Sequence, residues 1–279
     1  MTITSDLCEH WLAEGYILVR NLLPREDVDR LRETCEDILR QVYLLEEPRP
    51  GDGDFVIRHL SRPSYHVGER ERLMFLLETA AKPRILDLVG EIFGDEPEHR
   101  CFSLFMNPRE NGYDGNWHRD SQFRENYDEE VEKELILNQK VPGGMQMQIA
   151  LVPSDDSEYV PGSHLRWDTE EEYAIRLKDN HAGSTSNAMP GAMRVALQPG
   201  DAVAFNAFGL HRGRYHADRL RRTLMLTYVG SRRPVRPDIF NHQPWFLEPE
   251  YLDGLSDRAT GFYRGFVDKY AASWGEARA

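Results

Sequence analysis

The chain has 279 residues, 34 basic against 47 acidic side chains, a formal net charge of −13 and 40% apolar residues. That is enough chain to bury a core, and the balance is that of a soluble globular protein. It lacks the roughly 18-residue apolar run of a transmembrane helix, and its acidity disfavours nucleic acid and anionic membranes as partners. The opening MTITSDLCEH lacks the basic flank and apolar stretch of a secretory signal, and Ala277-Arg278-Ala279 is no targeting tripeptide. Cys8, Cys35 and Cys101 are too few and too scattered for a disulfide frame, so a reduced, cytoplasmic setting is expected. Oligomeric state is not legible.

Residues 6–14 read as a short helix and Tyr16–Val19 as a strand rich in bulky, branched residues. Pro24 opens a helix with Glu26 and Asp27 in its first turn, where the helix dipole favours acids. Its apolar stripe is Val28, Leu31, Cys35, Ile38, Leu39 and Val42. A Pro/Gly/Asp loop over 48–54 precedes a short strand, Phe55–Ile57. Helices over 69–81 and 84–93 break at Pro83. From residue 100 the pattern turns to short strands: Cys101–Met106, Met145–Val152, Val195–Leu197, Ala202–Phe208 and Arg222–Val229. Turns are expected at Ser154–Ser157 and Pro199-Gly200-Asp201. An acidic stretch over 124–140 reads as an insertion or lid, and a last helix falls near 257–273. The fold class expected is mainly β with flanking α: a jelly roll, or double-stranded β-helix, wrapped by N- and C-terminal helices in a single domain spanning 1–279.

The chemistry concentrates at Asn116-Trp117-His118-Arg119-Asp120. Alternate residues of a strand share a face, so His118 and Asp120 can aim at one ion while Arg119 points away. With His211, just past the strand 202–208, they make two imidazoles and a carboxylate. That set leaves positions open on the metal, as in non-haem Fe(II) oxygenases. A surface turn in which Asp120 only accepts hydrogen bonds is the other reading. The tripeptide His118-Arg119-Asp120 also spells the kinase catalytic loop, but Glu125 stands where a kinase needs asparagine. Arg222 shares a strand face with Leu224, Leu226 and Tyr228, and a buried guanidinium requires an anion. A dicarboxylate cosubstrate or a protein carboxylate would satisfy it. Arg221 points the other way and is expected to be solvated. Arg212, Arg214, Arg219 and Arg221 crowd one segment, as a basic patch or as a loop paired to the acidic surface.

In order and spacing, His118-x-Asp120, Val160-Pro161-Gly162-Ser163-His164, Pro199-Gly200-Asp201, His211 and Arg222 resemble the phytanoyl-CoA dioxygenase family of Fe(II)/2-oxoglutarate-dependent oxygenases. The resemblance runs from about Gly15 to Val229. It implies that His118, Asp120 and His211 bind Fe(II), and that Arg222 holds the distal carboxylate of 2-oxoglutarate. It also places Gln148 beside that cosubstrate and His164 near the site. The activity it implies is oxidation of a small-molecule metabolite by O2, most simply hydroxylation, with 2-oxoglutarate converted to succinate and CO2. A true carboxylate at Asp120 argues against halogenation, since related halogenases carry a small residue there. Two other classes use the same residues: a jelly roll that only binds a metal or small ligand, and a cupin-like metalloenzyme without 2-oxoglutarate.

Overall fold

The computed structural model describes residues 5–45, 54–123, 126–138, 144–234 and 238–274. In chain order the elements are α1 (Ser5–Glu14), β1 (Tyr16–Val19), α2 (Arg25–Leu45), β2 (Val56–Arg58), α3 (Arg70–Ala80) and α4 (Pro83–Phe93). Then come β3 (Pro97–Met106), β4 (Tyr113–Asp114), α5 (Glu129–Leu137), β5 (Met145–Ala150), β6 (Ser154–Tyr159), α6 (Glu170–Arg176) and the single turn α7 (Lys178–His181). The chain continues through β7 (Met193–Leu197), β8 (Ala202–Asn206), β9 (His211–Tyr215), β10 (Arg222–Gly230) and α8 (Asp257–Tyr270).

Antiparallel pairing builds a six-stranded sheet in the order β1-β8-β5-β10-β3-β2 and a four-stranded sheet in the order β4-β9-β6-β7. Together they form the double-stranded β-helix. The larger sheet has two different faces. On the outer face Leu224, Leu226, Tyr228, Met147, Ile149 and Leu104 join one core with the stripe of α2 and with Tyr263 and Phe266 of α8. Burying each such side chain contributes about 1.5–3 kcal/mol, so the sheet holds its helical coat firmly. On the inner face Ala150, Val203 and Phe205 pack against Tyr159, Val195 and Leu197 of the smaller sheet. By alternation the inner face also carries Gln146, Gln148, Thr223 and Met225, so it turns polar towards β10.

Two expectations fail here, for one reason. The predicted turn at Ser154–Ser157 is the start of β6, and the segment around His211 is strand β9 rather than a loop. Neither shows apolar alternation. Their outward charges are matched across the ladder instead, with Glu158 directly opposite Arg212 and bonded to it at 2.5 Å. The 48–54 loop lies almost wholly outside the described residues, as do 124, 125, 139 and 140 of the acidic stretch. The rest of that stretch contains α5.

Candidate metal centre

His118 and His211 meet as an antiparallel bridge, each backbone N–H donating to the other's carbonyl at 3.0 Å. Their rings stand 4.3 Å apart between centroids. Two residues on, the Asp120 N–H donates to the Ala207 carbonyl at 2.9 Å, which ties the carboxylate to the turn leading into β9. Asp120 Oδ1 is 3.7 Å from His118 Nε2 and 3.5 Å from His211 Nε2. One ligand atom from each residue lies within 4.8 Å of the others, the one such group of three among the described residues.

The surroundings fix the ligand state of each group. His118 Nδ1 donates to the Asn116 carbonyl at 2.6 Å, and His211 Nδ1 to the Gly209 carbonyl at 2.9 Å. A carbonyl only accepts, so both protons sit on Nδ1 and both Nε2 lone pairs face the shared point. Gly209 is required for that geometry, since a Cβ there would stand 2.0 Å from the Tyr159 hydroxyl. Gln146, unmarked in the sequence, donates its amide to Asp120 Oδ2 and leaves Oδ1 turned to the imidazoles. Burial, reinforced by His211, pushes the His118 pKa down to about 4. Burial alone would raise that of Asp120, but the nearby His211 and His118 rings hold it below the usual carboxylate range. At neutral pH His118 is therefore neutral and Asp120 ionised. Two imidazoles and one carboxylate on a common face fit a divalent ion with open positions.

The remaining site expectations divide. Arg222 lies on the outer, helix-facing side of β10, where its Nε and Nη2 reach the two oxygens of Glu36 on α2 at 2.7 and 3.1 Å, and its Nη1 reaches Asn107 at 3.1 Å. It faces away from the space between the sheets, and the protein carboxylate is what satisfies it. Arg221, expected in solvent, is the inward one, 2% exposed. Its guanidinium carbon lies 5.2 Å from the Phe105 ring and 4.9 Å from that of Tyr215. Nη1 donates to the Arg214 carbonyl at 3.0 Å, Asp156 approaches Nε only to 3.7 Å, and Nε makes no hydrogen bond. The neighbouring Thr223 Oγ1 is likewise buried and unpartnered.

Gln148 is inward and buried, accepting from Ser157 Oγ at 2.5 Å. His164 packs against Gly15 at the α1–β1 corner and bonds the backbone of Leu12, and burial lowers its pKa to about 4. Of the two readings of the arginine-rich segment after His211, the structure has the one paired to acidic groups. Arg212 and Arg214 bond Glu158 and Asn187, and Arg219 bonds Asp155 and Asp156. Trp117 is core, donating to Ser186. Phe123 is 67% exposed and stands 5.1 Å from the His118 ring, at the open side of the cluster.

Jelly rolls host many chemistries. One that leaves part of an ion's coordination sphere free, with a buried cation deeper between the sheets, points to the Fe(II)/2-oxoglutarate-dependent oxygenases. The chain belongs to the phytanoyl-CoA dioxygenase (PhyH) family, whose profile matches residues 11–223. It is therefore an enzyme of the Fe(II)/2-oxoglutarate dioxygenase class, with O2 as oxidant. Dioxygenase cnsJ of Penicillium expansum is 24% identical, over 95% of this chain and 81% of its own length. The alpha-ketoglutarate-dependent carbocyclase SnoK from nogalamycin biosynthesis shares the fold at TM-score 0.60 and 18% identity, over 85% of this chain and 88% of its own. EctD from S. alaskensis, solved with 2-oxoglutarate and 5-hydroxyectoine, does so at TM-score 0.60 and 19% identity, over 88% and 84%. No helix among the described residues is long and apolar enough to cross a membrane.

Proposed function

We propose that the protein hydroxylates a small-molecule metabolite, with His118, Asp120 and His211 as iron ligands and Arg221 as the anchor of 2-oxoglutarate. In the overall reaction one oxygen atom enters a C–H bond of the substrate and the other enters succinate as CO2 leaves. The observation that carries this reading is the meeting of two Nε2 atoms and Asp120 Oδ1 in a fold that also buries an arginine whose Nε has no hydrogen-bond partner. Bound iron would supply the activation of O2.

The chain's own groups prepare that chemistry. The carbonyls of Asn116 and Gly209 hold the imidazoles in the ligating tautomer. Gln146 occupies one Asp120 oxygen, so the carboxylate presents the other. Two residues along β9 from His211, a Cβ at Gly213 would stand 3.3 Å from Arg221 Nη1. That step is about 7 Å along a strand, the span of a five-carbon diacid. Arg221 Nε and Thr223 Oγ1, both without hydrogen-bond partners, would bond its far carboxylate, with Gln148 and Ser157 lining the way. Phe205, 4.9 Å from the His211 ring, closes the inner side against water.

The substrate would enter past Phe123. With Arg212, Arg214 and Arg219 already paired, that segment offers no cradle for a polyanion such as a coenzyme A thioester, and a small metabolite fits better. The whole chain is read as one oxygenase unit, since α8 shares the core of the larger sheet. The test is O2-dependent succinate formation by purified protein given Fe(II) and 2-oxoglutarate. His118→Ala should abolish it, and turnover retained by that variant would contradict the assignment.

A further inference from the structure

The residue between the two sequence-adjacent ligands has its own task. At Arg119 the backbone is extended (φ −115°, ψ 140°), which turns its side chain to the face opposite His118 and Asp120. The guanidinium is fully buried, yet every N–H is used. Nε and Nη2 donate to Asp168 Oδ1 at 3.1 and 2.8 Å, and Nη2 also to the Arg166 carbonyl at 3.2 Å. Nη1 donates to the carbonyls of Ser163 at 2.7 Å and Phe208 at 2.5 Å. Phe208 adjoins Gly209, whose carbonyl orients His211. One guanidinium thus joins the backbone that carries His118 and Asp120 to the turn that aims His211.

The network continues outward. Asp168 Oδ2 accepts from Arg176 Nε on α6 at 2.7 Å. Arg176 Nη1 donates to Glu132 on α5 and to Gln122, both at 3.0 Å. Glu132 also accepts from Ser121, directly after Asp120, at 2.6 Å. The side chains of Arg119, Asp168, Arg176 and Glu132 are all at most 1% exposed, with two positive and two negative charges in balance. Such a charge-balanced buried set tolerates little rearrangement, because a member left without its partner is a buried bare charge. Lysine at 119 would put one ammonium where five directed donors are needed.

We infer that Arg119 is a positioning residue for the metal centre, through which the docking of α5 and α6 sets metal affinity. The inference rests on the triad being the metal site, and the experiment separates the two. Metal-free full-length protein is titrated with Mn(II) by calorimetry and with Co(II) by visible absorption, with circular dichroism to verify folding. Wild type binds one equivalent, and His118→Ala loses it. Arg119→Lys binds about 10–100-fold more weakly, the usual cost of losing an outer-shell partner, with an altered Co(II) spectrum. Glu132→Gln, at the far end, shows a smaller loss of the same kind. Retained binding in His118→Ala would overturn the triad assignment. Loss in His118→Ala with wild-type affinity and spectrum in Arg119→Lys would overturn this inference alone. Should Arg119→Lys fail to fold, unchanged affinity and spectrum in Glu132→Gln would do so.

Discussion

Adjacent arginines at the start of β10 give the sharpest separation of roles. Replacing Arg221 with Met removes a guanidinium that is 2% exposed, lies between the Phe105 and Tyr215 rings and has Nε uncommitted. If that cation receives the distal carboxylate of 2-oxoglutarate, its removal strands a carboxylate in a dry site. Truncating one partner of a buried, hydrogen-bonded charge pair costs about 2–5 kcal/mol, so the Kd for 2-oxoglutarate should rise about 30-fold or more. Arg222→Met breaks a pair whose Glu36 carboxylate is 41% exposed. Water replaces much of that interaction, so stability falls by about 1 kcal/mol or less. Its 2-oxoglutarate affinity should stay within about twofold of wild type, since no contact to the cosubstrate is lost. The assay is 2-oxoglutarate titration of the Mn(II)-loaded protein under argon, with urea denaturation alongside. A large loss in Arg222→Met beside unchanged affinity in Arg221→Met would refute the reasoning.

Two further outcomes follow from the same geometry. Gln146→Leu frees Asp120 Oδ2, so divalent-metal affinity by calorimetry should fall about tenfold with little change in melting temperature; a change in melting temperature alone would be contrary. His99 is 1% exposed, ringed by Phe102 and Phe266, and burial drives its pKa to about 3. The unfolded chain therefore takes up this proton first. The stability is fully present above the unfolded value near 6.5 and drains away as pH falls, by at most about 1.4 kcal/mol per pH unit. Urea denaturation should show wild type losing about 2 kcal/mol more than His99→Gln between pH 6.5 and 5. Equal losses would place that proton elsewhere.

Much of this protein is legible before folding. The stripe of α2 is buried as its spacing requires, and His118-x-Asp120 with His211 converges as the family resemblance implies, though Asp120 begins a 3-10 turn and not a strand. Arg222 is the instructive case, because strand alternation alone misplaces it. Arg222 does share a face with Leu224 and Leu226, but that face packs on helices, and Glu36 comes from an element almost two hundred residues upstream. Alternation separates two faces without saying which one encloses the cavity. The usable signal was the contrast across strands: aliphatic at Met147, Ile149, Leu224 and Leu226, amide and hydroxyl at Gln146, Gln148 and Thr223. The mixed polar side faces the smaller sheet, and the buried Arg221 lies on it. Strands β6 and β9 carry no strand signature in the sequence, because charge pairing across the ladder replaces apolar alternation. His164 follows a family motif yet serves the α1–β1 corner.

The central claim is that three side chains and one arginine organise this enzyme around a single ion and a diacid. A crystal structure of the protein grown anaerobically with Fe(II) and 2-oxoglutarate tests it most directly. Anomalous scattering should place one iron within bonding distance of His118 Nε2, His211 Nε2 and Asp120 Oδ1, with the far carboxylate of the cosubstrate on Arg221. Iron bound elsewhere, or a cosubstrate carboxylate seated on Arg222, would contradict the account.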